Sequence, residues 1–171
     1  MTNSDIRSAL EKLRLAIAAQ PEKARAKHGP ATAAIEQGLK CRVRGPSGER
    51  IETDMPPAMG GDGASPNPGW YFRASIAACC ATVIAMRAAR LGIDLSRLEV
   101  TVESDGDHRG ILGLDDLVSA GASSLRTKVE IGACNAAPGQ LEELVHWAVQ
   151  HSPVGCTIQD APANTVSILL S

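Results

Sequence analysis

Apolar residues recur at helical spacing in "IRSALEKLRLAI", where Ile6, Leu10, Leu13 and Ile17 share one face of a first helix. Ser4 suits its N-cap, and Pro21 interrupts it before "HGP" at residues 28–30. From Ala31 to Glu52 the pattern changes to short runs divided by "RGPSGER" at residues 44–50, whose Pro and Gly make a turn, so this region reads as a β-hairpin. Residues 54–69, "DMPPAMGGDGASPNPG", are dense in Gly and Pro and predict a long surface loop, a kind of segment that usually serves function or is disordered.

Nothing breaks a helix from Trp70 to Leu91, with Pro68 suited to its start and Gly92 to its end. Its middle, "ASIAACCATVIAMRAA", is apolar on most faces, which predicts a central helix buried on nearly all sides. "LEVTVES" at 98–104 and "SLRTKVEIGA" at 124–133 alternate apolar and polar residues and read as strands. "PGQLEELVHWAVQHS" at 138–152 spaces Leu141, Leu144, Val145 and Ala148 for a second amphipathic helix. A short capped turn begins at "SPVGC", and "ANTVSILLS" reads as a closing strand. Hairpin, helix, strands, helix and strand in that order make an α+β fold.

A chain of 171 residues suits one domain. Trp70, Tyr71, Phe72 and Trp147 are the whole aromatic complement, so the core is built from Ala, Val, Leu and Ile. A net charge of −2 with interspersed signs argues against a nucleic-acid footprint or a polybasic membrane patch. No uninterrupted run approaches the roughly 18 apolar residues of a membrane span, and the polar, amphipathic N-terminus does not read as a signal peptide. A soluble, cytoplasmic protein is expected. The five cysteines are odd in number and form no CxxC pair, which suggests reduced thiols and neither a disulfide framework nor a zinc site.

A thiol attacks as its thiolate, which needs a helix N-terminus or a nearby cation, and it is inert in apolar surroundings. Cys79 and Cys80 lie beyond the first helical turn, where the helix field has faded, so any cation must come from elsewhere. Adjacent helical residues point about 100° apart, so at most one of the pair faces a given pocket, and the two do not easily bridge while helical. On composition alone both are packing residues, because free Cys is among the most buried types. Other constellations carry less. His151 stands beside Ser152, but no GxSxG elbow accompanies them, which argues against a hydrolase. His146 and His151 miss the helical spacings that bring two metal ligands together. "GGDGASPNPG" has neither a lysine nor GxGxxG for a phosphate. Asp107 and Arg109 in "DHRG" read as an ion pair or a turn.

"GGDGASPNPGWYFRASIAACC", then "DHRGILGL", then "HSPVGCTI" resemble, in that order, the OsmC family, which includes the organic hydroperoxide resistance proteins. The likeness runs from about Ala31 to the C-terminus, leaving residues 1–30 as an N-terminal helical extension and 31–171 as an OsmC-like domain. It implies an intertwined homodimer in which central helices are wrapped by β-sheets, with active sites between subunits. Peroxidases of the family use a reactive cysteine in the helix after Asn-Pro. Counted from Asn67 and Pro68 that position is Cys79, and Cys80 falls where the family usually has a hydrophobe. The implied chemistry is thiolate attack on a peroxide oxygen, giving a sulfenic acid that a second thiol condenses with and an external dithiol resets. No cofactor is implied. The expected partners are a second copy, a small hydroperoxide and the dithiol, with no nucleic acid and no membrane.

Two departures from the family pattern stand out. The second cysteine of the family precedes a Pro in the late motif, where this chain has Ser152 before Pro153. Cys156 lies one helical turn further on, about 5.4 Å, and is the candidate resolving thiol, its bland alternative being packing; Cys80 after local unwinding and an external thiol are the other candidate routes. The hydroperoxide resistance members carry an acid after Asn-Pro that orients an arginine toward the thiolate, and here that position is Gly69. Arg44 or Arg50 is the candidate cation and Asp62 the candidate acid, each otherwise a solvated charge. The sequence therefore supports a cysteine-based hydroperoxide reductase of oxidative-stress defence. The alternative is a catalytically degenerate relative that binds a small hydrophobic ligand at the dimer interface.

Overall fold

Thr2, rather than Ser4, caps the first helix in the computed structural model, which describes residues 2–170. The Thr2 hydroxyl accepts from the Asp5 N–H at 3.3 Å and the Asp5 carboxylate accepts from the Thr2 N–H at 2.8 Å, a reciprocal cap that starts helix α1 (Asn3–Ala19). Pro21 ends α1 and opens a single 3-10 turn, Pro21–Ala24. The described residues divide into two compact units, one of residues 8–74 and the other of residues 2–7 and 75–170.

In the first unit the expected hairpin is a three-stranded antiparallel meander of β1 (Thr32–Gln37), β2 (Lys40–Arg44) and β3 (Arg50–Thr53). Gly38, at φ +56°, makes the extra turn between β1 and β2. The "RGPSGER" turn joins β2 to β3 as expected, pairing Val43 with Ile51 and Arg44 with Arg50.

The Gly/Pro-rich loop that follows is organised by Asp54, which is 2 % exposed. Its carboxylate accepts the backbone N–H groups of Met55, Asp62 and Ala64 at 2.8, 3.1 and 3.1 Å. Gly61 is required there, since a Cβ would run into the Met55 carbonyl oxygen. The Ala64 N–H, more than any other group, holds the Asp54 carboxyl below its ordinary value of 3.8. A depressed carboxylate stabilises the fold above the unfolded value and loses that contribution as pH falls through the folded one. Asp54→Ala leaves three N–H groups without their acceptor. The variant is expected to be cleaved faster in residues 55–64 by limited proteolysis at neutral pH, whereas wild type should show that sensitivity only in acid below about pH 3.8.

Helix α2 (Pro68–Leu91) starts where Asn67 Oδ1 accepts the Trp70 N–H at 2.9 Å, and the Tyr71 hydroxyl donates to the Glu52 carbonyl at 3.1 Å, tying its first turn to β3. It ends at Gly92, whose φ of +71° lets the Ile93 N–H reach the Ala88 carbonyl at 2.9 Å. Ile76, Cys80, Ile84 and Ala88 form its buried stripe at i, i+4 spacing, with Ala89 beside it. The expectation of a helix buried on nearly all sides is not met within one chain: Met86 and Leu91 are 38 % and 51 % exposed. By length and composition α2 is also apolar enough to cross a membrane, with 28 % of the relevant window buried. Counting uninterrupted apolar runs missed this, because isolated arginines barely lower the window average.

In the second unit β4 (Leu95–Gly106) and β5 (Ala122–Ala133) pair as a long antiparallel ribbon, with Leu98 opposite Ile131 and Val100 opposite Val129. Both strands outrun the sequence reading, β4 by Leu95, Ser96 and Arg97 at its start and Asp105 and Gly106 at its end, and β5 by Ala122 and Ser123. Between them lies the short helix α3 (His108–Ile111), capped by Asp107, which pairs with Arg109 at 2.6 Å as the turn reading expects. Helix α4 (Pro138–Gln150) follows, then α5 (Pro153–Gln159). Leu144 and Ala148 of α4 join Cys80, Ile84, Ala88 and Ile93 in one core, with the apolar face of the ribbon packed against it. The closing strand expected in "ANTVSILLS" is not formed: residues 161–170 have no regular structure, Ile168, Leu169 and Leu170 are 79, 96 and 94 % exposed, and Ser171 lies outside the described residues.

Candidate active site around Cys79

Helix geometry separates the two adjacent cysteines. Cys80 sits on the buried stripe four residues from Ile76 and from Ile84 and is 3 % exposed. Burial, and secondarily the neighbouring Cys79 sulfur, push its thiol up from the ordinary value of 9.0, so Cys80 is a core residue. Cys79, turned about 100° from it, leaves that core and is half-buried.

What meets Cys79 is the turn between α4 and α5. His151 closes α4, its ring stacked on Trp147 at 3.9 Å with its Nδ1 2.7 Å from the Trp147 carbonyl oxygen, while the Arg87 guanidinium lies over the Trp147 ring at 4.3 Å. These contacts hold the end of α4 against α2. Ser152 comes next and points the other way. It is 2 % exposed, caps α5, and its hydroxyl donates to Cys79 Sγ at 3.1 Å. The sequence separation is 73 residues, so this pair exists only through the tertiary fold.

Cys156 lies in α5, half-buried, and its thiol donates to the Gln150 carbonyl at 3.3 Å. Arg44 and Arg50 face one another as a cross-strand pair at the ends of β2 and β3, both exposed, and belong to the first unit. Asp62 supplies a backbone N–H to Asp54. A Cβ at Gly69 would stand 3.8 Å from an Arg73 guanidinium nitrogen. Among the described residues no cluster of His, Cys, Asp and Glu is arranged to hold a metal. One contributor escaped sequence reasoning: Ser152 as a partner of the thiol rather than a missing cysteine. The signal for Ser152 was its place before Pro153 in the late motif.

Antiparallel strands packed with a long apolar helix make an α+β fold, and that helix carries the cysteine that the Ser152 hydroxyl meets. The family model described as OsmC-like protein matches residues 61–167, and the chain belongs to that family. No curated protein matches it. Among solved structures, an OsmC-like protein from Mycoplasma pneumoniae superposes with a TM-score of 0.67 at 16 % identity, covering 80 % of this chain and 91 % of its own. An organic hydroperoxide resistance protein from Legionella pneumophila gives 0.58 at 22 % identity, covering 79 % and 91 %. The organic hydroperoxide resistance protein OhrB of Bacillus subtilis gives 0.51 at 18 %, covering 79 % and 93 %. At these identities the likeness establishes the fold.

Proposed function

We propose that the protein is a cysteine-based peroxidase that reduces organic hydroperoxides, with Cys79 as the attacking thiol. The observation that carries the reading is the hydrogen bond from the buried Ser152 hydroxyl to Cys79 Sγ at 3.1 Å, on the one of the two adjacent thiols that leaves the core. A hydroxyl aimed at the sulfur can orient the anion that attacks peroxide oxygen. Family membership and the hydroperoxide resistance proteins among its structural neighbours support the same chemistry. Arg44 is kept as the proposed source of a cation, and no cofactor enters the scheme beyond an external dithiol.

A homodimer is part of this reading. The uncovered apolar side of α2 and the exposed Val166, Ile168, Leu169 and Leu170 are surfaces that a second copy would bury. Sedimentation should give twice the chain mass of 17.8 kDa, and a monomer would remove this element. Residues 1–30 are taken as an extension to the OsmC-like domain. Five free thiols suit the reducing cytoplasm, and no nucleic-acid or membrane partner is proposed.

The test is consumption of cumene hydroperoxide with dithiothreitol as reductant, expected well above a protein-free control and faster than consumption of hydrogen peroxide. A rate equal to the control would favour a second reading, a degenerate relative that binds a small hydrophobic ligand. Gly69 and the apolar groove between β5 and α4, lined by Val129, Ile131, Leu141 and Val145, favour that alternative.

A further inference from the structure

The residue that meets Cys79 cannot form a disulfide, and the thiols of Cys80 and Cys156 are committed elsewhere. Ser152 Oγ occupies the place beside Sγ at 3.1 Å. Cys80 is 3 % exposed in the core, its thiol pushed up by burial, and it points about 100° away on the same helix. A bridge between adjacent helical residues would require unwinding α2 beside the fully buried Ile84. Cys156 donates its thiol to the Gln150 carbonyl at 3.3 Å, and its own N–H is fixed to the Ser152 carbonyl at 2.8 Å. Cys134 follows the end of β5, its N–H held by the Asp94 carbonyl at 3.1 Å.

We propose that Cys79 works as a single redox cysteine, with Ser152 as the positioning donor to its thiolate, and that the external dithiol attacks the Cys79 sulfenic acid directly, without any disulfide within the chain. The proposal rests on the peroxidase reading and specifies how its oxidised form is discharged.

Cys79 thiolate attacks the terminal peroxide oxygen; an S–O bond forms, the O–O bond breaks, and the alkoxide leaves and takes a proton from water as the alcohol. One sulfur of the dithiol then attacks the sulfenic sulfur, forming an S–S bond and releasing water. The second sulfur of the same dithiol attacks the first, closing a cyclic disulfide and returning the Cys79 thiolate. In sum, hydroperoxide and dithiol give alcohol, water and oxidised dithiol. Throughout, Ser152 holds the sulfur and its hydroxyl stays intact.

The experiment treats the full-length protein with one equivalent of cumene hydroperoxide and maps Cys79 by peptide mass spectrometry. Dimedone should trap a sulfenic acid there. Glutathione, a monothiol with no second sulfur to complete the cycle, should leave a mixed disulfide on Cys79, and no peptide should link Cys79 to another cysteine of the protein. A link to Cys156, Cys80, Cys134 or Cys41 overturns the proposal while leaving the peroxidase reading intact. An unoxidised Cys79 overturns both, so the two failures are distinguishable.

Variants at position 152 test the positioning role. Ser152→Ala should slow iodoacetamide alkylation of Cys79 roughly tenfold at neutral pH, and Ser152→Thr, which keeps the hydroxyl, should restore it. Ser152→Cys, which keeps the side-chain size, should form a disulfide between Cys79 and the introduced thiol on oxidation and lose dimedone trapping. Unchanged alkylation profiles across the series would contradict the role of Ser152.

Discussion

Cys79→Ser should lower dithiol-dependent consumption of cumene hydroperoxide to the rate of buffer, with the fold intact. A serine hydroxyl is too weakly acidic to supply an anion near neutral pH, and it lacks the sulfur on which the oxygen must land. Its near-equal size preserves packing against α5, and the Ser152 hydroxyl still has an acceptor at its 3.1 Å contact, so the melting temperature should stay close to that of wild type. Cys156→Ser should keep most of the activity, because the Cys156 thiol is bonded to Gln150. Rates and melting curves measured on the same preparations separate lost chemistry from lost structure. Residual activity in Cys79→Ser would move the reaction to another thiol.

The largest stability effect is expected further along the same helix. Ile84 is 0 % exposed at the centre of the α2 stripe, and Leu144, at 2 %, comes to the same core from α4. Truncating either to Ala removes apolar contact and leaves a void that close-packed neighbours cannot fully collapse, at a cost of about 2–5 kcal/mol. For a chain of this length that lowers the melting temperature by roughly 4–20 °C. The two losses should fall short of additive in the double variant, since both residues line one core. Leu117, 97 % exposed, provides the control: its truncation should change stability by no more than about 0.5 kcal/mol. Thermal unfolding of the four variants beside wild type decides the matter, and a cost at Ile84 no larger than at Leu117 would contradict the assignment of this core.

Much of this architecture is legible in the residues. Local period and punctuation suffice for α2, which Pro68 opens and Gly92 closes, and for the two ribbon strands, where alternation continues through the charged residues. They fail where a signal is short or non-local. The Gly38 turn is too brief to divide two strands by eye. The terminal "ANTVSILLS" has strand-forming residues but finds no pairing edge in its own chain. Asp54 reads as one more loop charge until three backbone N–H groups converge on it. At the site, only the resemblance points to Cys79 over Cys80; the fold places Cys80 in the core and turns Cys79 out of it. The Ser152 contact could not be read locally, because 73 residues separate its partners.

The central claim is that placement beside Ser152, rather than exposure, makes one thiol reactive. The most direct measurement is time-resolved alkylation of the native protein with limiting iodoacetamide, mapped over all five cysteines, with and without prior cumene hydroperoxide. Cys134 is the exposed one, so exposure alone would have it labelled first. The account predicts instead that Cys79 is labelled first, that Cys80 is labelled last, and that hydroperoxide protects Cys79 alone. Labelling led by Cys134, with Cys79 slow and indifferent to hydroperoxide, would contradict it.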